Sequence, residues 1–403
     1  MSPRREPGAD AVVRNALLSS YGTRMYQYQD TERYFAQVAG GLEALGAEEL
    51  EALGATDVAS VYRGVHFNAA PAVLYRVNYE ARLPTRVLAP LISFGCHSPD
   101  YLYRTAQTLD WTDFLTAGQT FAVFANVSNS KIRHSKYAAL RVKDAIVDQF
   151  REQTGRRPSV DTRDPDVWVN LYIENNRATL SLGTSGGSMH RRGYRTQAGS
   201  APMQETVAAA VIRMSGWTGE RPLYDPMCGS GTLLAEALMQ ACHIPAGYLR
   251  TGFGFERLPD FEAAVWHAIK AEADARIRPL PEGLIAGSDR DPAMVKVARA
   301  NLRHLPSGDR VEVQVAEYQS LYGFADTTLV LNPPYGVRMK NKREMADFMK
   351  ELGDFLKQRC TGSTAFIYAG DRTLLKRVGL RPAWKKPLVN GALDGRLARY
   401  DLY

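Results

Sequence analysis

Hydrophobic positions along the chain follow two periods. The run Phe35-Ala36-Gln37-Val38-Ala39 reads as a short strand, which passes through Gly40-Gly41 into a helical pattern over residues 42–53. That pattern places Leu42, Leu45, Leu50 and Leu53 near one face, and Gly54 closes it. Strand-like runs recur at 61–68, 120–127 and 167–173, with helical patterns over 71–79 and 136–153. One or two small α+β units fit this order. The pattern breaks at Ser185-Gly186-Gly187-Ser188 and is followed by the basic, aromatic stretch His190-Arg191-Arg192-Gly193-Tyr194-Arg195, which reads as a domain junction. Beyond it, strand patterns at 222–225, 284–289, 311–315, 327–331 and 364–368 alternate with helical ones. The clearest helix covers 291–305, with Asp291 as N-cap and Pro292 at its first position. Another, over 342–358, puts Met345, Phe348, Met349, Leu352, Phe355 and Leu356 on one stripe. This alternation predicts an α/β fold with a doubly wound, mostly parallel sheet. The expected division is a mobile leader over 1–32, an α+β region over 33–188 and an α/β domain over 189–403.

Composition narrows the class. The chain has 403 residues, 45% of them hydrophobic, enough for two or three domains with real cores. No run approaches the roughly 18 apolar residues of a membrane span, and the N-terminus lacks the apolar stretch of a signal peptide, so a cytoplasmic location is expected. The four cysteines contain no C-x-x-C pair, which suggests reduced thiols and no metal site. Net charge is +7, unevenly spread. Lys and Arg cluster between 131 and 157 and again between 372 and 399, either as solvated faces or as contacts for a polyanion.

Three segments carry chemistry. The first is Asp225-Pro226-Met227-Cys228-Gly229-Ser230-Gly231-Thr232: strand, acid, glycine-rich turn and helix start. Its glycines let the backbone approach a ligand, while the acid accepts hydrogen bonds from one. It lacks the Gly-Lys-Ser/Thr of a nucleotide-phosphate loop and the third glycine of a dinucleotide fingerprint. The second is Asp289, ending another strand, where it either accepts from ribose hydroxyls or opens the turn before Asp291. The third is Asn332-Pro333-Pro334-Tyr335 at the end of an apolar strand. Besides making a turn, this set suits methylation of an exocyclic amino group. The Asn332 amide oxygen and the Pro333 carbonyl would each accept one amino hydrogen, and Tyr335 would stack on an extruded base.

These motifs, with Arg192-Gly193-Tyr194-Arg195 and Asn390-Gly391-Ala392-Leu393, resemble the THUMP-domain, class I S-adenosylmethionine-dependent RNA guanine-N2 methyltransferases, closest in pattern to those acting on bacterial 23S ribosomal RNA. The resemblance covers roughly residues 33–403 and implies a Rossmann-like methyltransferase domain behind a ferredoxin-like segment and a THUMP domain. It implies that Asp225, Pro226, Cys228, Gly229, Ser230, Gly231 and Thr232 hold the methionine end of the cofactor, that Asp289 takes the ribose, and that Glu317 lies near the adenine, where the family usually has Asp. Gln204 also departs from the family's usual Lys. Asn332, Pro333 and Tyr335 are the expected catalytic set, with Asn332 also near the cofactor. Lys131, Arg133, His134, Lys136, Arg191, Arg192, Tyr194 and Arg195 are the expected RNA contacts. Transfer RNA is the alternative substrate, and a non-catalytic ribosome-assembly factor the alternative function.

Overall fold

The computed structural model describes residues 25–196, 203–334, 342–391 and 393–403. The N-terminal half builds one sheet from β1 (Arg33–Gln37), β2 (Thr56–Val61), β3 (Gly64–Asn68), β4 (Arg86–Gly95), β5 (Thr120–Ser128), β6 (Ser159–Val160), β7 (Val167–Glu174) and β8 (Arg177–Gly183). Their order is β2-β3-β1-β4-β8-β7-β5-β6. β5 pairs in parallel with β6 and β7, and the remaining pairs are antiparallel. β7 and β8 are joined through Asn175 and Asn176, both at positive φ (50° and 59°), the backbone that a two-residue hairpin needs and that Asn tolerates. The helix Ser135–Thr154 covers this sheet beside Pro99–Ala106 and ends at Gly155 in the left-handed region.

Part of the expected leader is folded. Residues Gln27–Thr31 form a helical turn, and Tyr26 and Tyr28 flanking and within it are 2% and 1% exposed. The Tyr28 hydroxyl donates to Asp260 at 2.6 Å, and the Tyr26 hydroxyl bonds Asp113 and the Asp110 carbonyl. Tyrosines interleaved with Gln and Asp look solvated in sequence, but each ring is buried here because its hydroxyl has found a partner. Residues 1–24 lie outside the described residues.

The C-terminal half builds a second sheet from β9 (Leu223–Asp225), β10 (Ile285–Asp289), β11 (Glu312–Val315), β12 (Thr328–Leu331), β13 (Thr364–Ala369), β14 (Trp384–Pro387) and β15 (Arg396–Asp401), in the order β11-β10-β9-β12-β13-β15-β14. The first five run parallel, and β15 is antiparallel to both of its neighbours. Both faces are covered. Val330 and Phe366 turn toward the helices Glu205–Ser215 and Thr232–Ala241, while Leu329, Leu331, Ala365 and Ile367 turn toward Lys342–Arg359. On the latter helix Met345, Met349, Leu352, Phe355 and Leu356 are buried, the stripe read from the sequence. Strands sealed on both faces are continuously apolar, which is why β12 reads Thr-Leu-Val-Leu without alternation.

The two halves interlock. The inserted helix Ala263–Ala275 packs on Pro71–Glu80, with the Tyr79 hydroxyl donating to Asp274 at 2.6 Å and Arg276 paired with Glu80 at 2.7 Å. Phe253, Phe255 and Trp266 complete the N-terminal core.

Candidate active site

The chain order moves outward from β9 through β10 to β11, then returns to the other side of β9 for β12. The carboxyl ends of β9 and β12 therefore flank a crevice, the place where open parallel sheets bind ligands. Asp225 ends β9, Asp289 ends β10, Asn332 follows β12, and Glu317 follows β11 as an exposed residue.

The glycine-rich turn is built by backbone bonds. The Cys228 N–H donates to the Ser288 carbonyl at 2.9 Å, Met227 N–H to Asp225 at 3.1 Å, and Gly229 N–H to Asp289 Oδ2 at 2.9 Å. Asp289 also accepts the Asp291 N–H at 3.0 Å, so it clamps the turn to the neighbouring strand and opens the following helix with one carboxylate. Gly231 adopts φ 81° as the N-cap of Thr232–Ala241, a conformation that strains other residues. A Cβ at Gly287 would sit 2.8 Å from Leu234 Cδ1 and 2.9 Å from the Asp225 carbonyl, so only glycine lets that helix lie against the sheet.

Asp225 is buried, and desolvation pushes its carboxyl up to about 8, opposed by the Met227 N–H and reinforced by the Asp289 charge. Asn332 Oδ1 is buried with no hydrogen-bond partner among the described residues, and Pro333 beside it is buried. An unmatched buried acceptor at a strand's carboxyl end is what a ligand donor would complete. Tyr335 lies outside the described residues. Burial raises the Cys228 thiol well above its usual value, which suits packing and opposes nucleophilic use.

The basic stretches divide. Lys131, Arg133, His134 and Lys136 are exposed at the start of Ser135–Thr154, as an RNA-facing patch requires. Arg191 is exposed too. Arg192 and Tyr194, expected among the RNA contacts, are instead 1% exposed. The Arg192 guanidinium pairs with buried Glu236 at 3.4 Å and donates to the Met189 and Arg82 carbonyls, and the Tyr194 hydroxyl donates to Glu236 at 3.0 Å. A buried carboxylate needs such donors, and these two side chains supply them. Arg195 also turns inward, donating to Thr232 Oγ1 and the Met203 carbonyl at 2.8 Å each and pairing with Glu205 at 3.6 Å. Burial pushes the Glu205 carboxyl up to about 7 against the pull of Arg195. Asn301 also supports the site, donating to the Ser230 carbonyl at 3.0 Å and accepting the Thr196 N–H at 3.2 Å. Its signal in the sequence was an amide on the apolar stripe of Pro292–Leu302, where a buried polar group needs partners.

The residues fit S-adenosylmethionine. The open space above Gly229, where an added Cβ would meet nothing within 4 Å, leaves room for a ligand against the turn. Asp225 at the end of β9 suits the cationic methionine end of the ligand, Asp289 can accept from its ribose hydroxyls, and the Asn332 acceptor awaits a donor. Among the described residues no group of His, Cys, Asp or Glu is placed to hold a metal ion.

Comparison with known proteins agrees. Residues 192–399 match the family described as RMKL-like, methyltransferase domain; residues 96–183 match the THUMP domain and residues 33–88 the RlmL ferredoxin-like domain. A Synechocystis sp. protein named as an RNA methyltransferase, slr0064, is 41% identical over 374 residues, covering 93% of this chain and 97% of its own. The ribosomal RNA large subunit methyltransferase K/L of Syntrophotalea carbinolica is 39% identical over 92% of this chain and 53% of its own, so the chain spans about half the length of the K/L relatives it matches. Among solved structures, SMU.472, described as a methyltransferase and solved in complex with SAH, superposes with a TM-score of 0.80 at 28% identity, over 92% of this chain and 98% of its own. A Listeria monocytogenes protein named for N6-adenine-specific DNA methylation superposes with a TM-score of 0.79 at 27% identity, over 92% and 96%.

Proposed function

The chain belongs to the RMKL-like methyltransferase family and is an S-adenosylmethionine-dependent RNA methyltransferase, and from that premise we propose that it methylates the exocyclic N2 of a guanosine in 23S ribosomal RNA, in the cytoplasm. The single observation that carries the chemistry is the buried, unmatched Asn332 Oδ1 at the carboxyl end of β12. The relatives named for large-subunit ribosomal RNA and the THUMP match support the substrate.

When bound, S-adenosylmethionine supplies an activated methyl group on a sulfonium. The protein's own tasks are binding, orientation and charge placement. Asp225 and the turn from Cys228 to Thr232 would hold the methionine end, Asp289 would receive the ribose hydroxyls, and Glu317 would serve the adenine. Asn332 Oδ1 and the Pro333 carbonyl accept the two hydrogens of the amino group, so its lone pair withdraws from the ring and stays on nitrogen. Tyr335 is the residue assigned to stack on the extruded base. Lys131, Arg133, His134 and Lys136 hold phosphates at a distance from the pocket, which gives affinity without base reading.

The test incubates the protein with labelled S-adenosylmethionine and, separately, deproteinised 23S RNA, total tRNA and duplex DNA, followed by nucleoside mass spectrometry. N2-methylguanosine from 23S RNA is the expected product. The same nucleoside from tRNA alone would replace the substrate, and N6-methyladenine in DNA, the activity for which the Listeria protein is named, would replace both base and substrate.

A further inference from the structure

The face of the N-terminal sheet next to the domain junction carries a cluster that the catalytic pocket does not use. Trp168 on β7 and Phe124 on β5 point to the same side, since Trp168 pairs with Ala122 and Phe124 lies two residues further along its strand. Their rings stack at 4.8 Å between centroids with 27° between planes. The strand between Trp168 and β4 carries Gly183, where a Cβ would stand 3.0 Å from Trp168 Cβ. That missing side chain lets the indole spread toward β4, whose Arg86 guanidinium lies 4.5 Å from the Trp168 ring and 5.1 Å from the Phe124 ring. Trp168 is buried by this packing, but Phe124 remains 39% exposed.

Two more guanidinia lie near, Arg191 from the junction and Arg250 from the segment after Thr232–Ala241. Arg191 is exposed, and Arg250 donates to the Ser185, Gly186 and Ser188 carbonyls at 2.5, 2.8 and 3.1 Å. Among the described residues neither Arg86 nor Arg191 has an ion pair, and Asp164 acts only weakly on Arg250. The three cations feel one another. After burial itself, Arg191 is what lowers Arg86, and Arg192, Arg191 and Arg86 help bring Arg250 down to about 10. His190 among them is pushed down to about 4, chiefly by burial, and is uncharged at neutral pH. Three positive charges with Asp164 as the one carboxylate acting on Arg250, beside an exposed ring, are costly to the free protein and complementary to a polyanion with aromatic bases. The position is suitable too. Arg191 precedes Arg195 by four residues, at most about 14 Å of chain, and Arg195 holds Thr232 at the head of the cofactor turn.

We propose that Arg86 and Arg191, backed by Arg250, with the Phe124–Trp168 ring pair, form a second RNA contact. It takes a single-stranded stretch of the substrate between the Lys131–Lys136 patch and the catalytic pocket, with phosphates on the guanidinia and an unstacked base against Phe124. This rests on the reading above that the substrate is RNA.

The experiment uses the full chain, with oligouridine and a duplex RNA of equal length as probes, and Phe124→Ala and Arg191→Gln as variants. Both positions are exposed, and unchanged S-adenosylmethionine affinity by calorimetry verifies the fold. Phe124→Ala weakens oligouridine binding about tenfold, leaves its salt dependence unchanged, and spares the duplex. Arg191→Gln weakens both probes and lowers the salt slope by about 0.7 to 1. Photocrosslinking of iodouridine-substituted RNA labels the Phe124 peptide. If the protein methylates RNA and both variants bind oligouridine as wild type does, this contact is overturned. Equal loss of duplex and single strand in Phe124→Ala would overturn the stacking role. Failure of the wild-type protein to bind or methylate any RNA would instead overturn the functional reading itself.

Discussion

Lys131 and Arg133 ahead of a helix and Lys136 in its first turn project into solvent, whereas Arg192 and Arg195, in a stretch just as basic, are drawn inside. The difference lies in what each segment meets. Residues 131–136 lie on the rim of the N-terminal sheet, with no carboxylate close enough to pair with these three among the described residues. Residues 192–195 cross the base of the helix Thr232–Ala241, where Glu236 and the carbonyls of Arg82, Met189 and Met203 are buried and need donors. The first stretch offers its charge to a partner; the second spends its charge holding the two halves and the cofactor turn together. Basic composition therefore marks a polyanion site only where the fold leaves the charge unmatched.

The contrast can be broken by mutation. Arg192→Ala should have the largest effect, destabilising the protein by about 3–5 kcal/mol because Glu236 would remain buried without its cation. Urea unfolding measures it, and the double variant Arg192→Met, Glu236→Leu should recover much of the loss. A fully stable Arg192→Ala protein with weakened RNA binding would return Arg192 to the RNA face.

Next in size is Asn332→Ala, which should lower the single-turnover methylation rate about 10²–10³-fold, as removal of one transition-state hydrogen-bond partner does elsewhere, with cofactor affinity nearly unchanged. An unaltered rate would end its assigned role.

Asp225 gives the third test, through pH. Its folded carboxyl is raised from 3.8 to about 8, so the folded state binds the proton more tightly than the unfolded chain does. Its contribution to stability is fully present below about pH 4 and is lost as pH rises through 8, amounting to a few kcal/mol at most. Asp225→Asn should match wild type at pH 4 and exceed it at pH 8 when no cofactor is bound. Parallel unfolding curves for the two proteins across that range would contradict this.

The smallest effect on the fold is expected from Lys131→Gln, Arg133→Gln and Lys136→Gln combined. Stability should change by less than about 0.5 kcal/mol, while RNA binding weakens about tenfold and its salt slope falls by about 2. Unchanged binding at several salt concentrations would make the patch a solvated face.

Much of this was legible along the chain. The period of 3.6 over Lys342–Arg359 and the cap at Asp291 located helices because side-chain spacing and capping chemistry are local. Asp225, Asp289 and Asn332 stood out because each polar side chain ends an apolar strand, and a parallel sheet gathers strand ends at one edge. Several features escaped, β2 (Thr56–Val61) and β8 (Arg177–Gly183) among them. β4, Arg86–Gly95, is the strand that joins the ferredoxin-like and THUMP parts of one sheet, yet its nearly unbroken apolar run and Pro90 hide any alternation, and the structure accommodates the proline at a register shift between Pro90 and Ile92. The burial of Tyr26 and Tyr28 depends on Asp113 and Asp260, far away in sequence, which no local pattern announces.

The sequence by itself determined the five parallel strands of the C-terminal sheet and the identity of the polar residues at the strand ends, because those follow from periodicity and from chemistry between near neighbours. Only the tertiary structure decided which charges are matched. Whether an arginine meets a buried glutamate, an aromatic pair or water is a matter of contacts across many residues, and in a low-dielectric interior that choice separates a structural ion pair from a surface prepared for RNA.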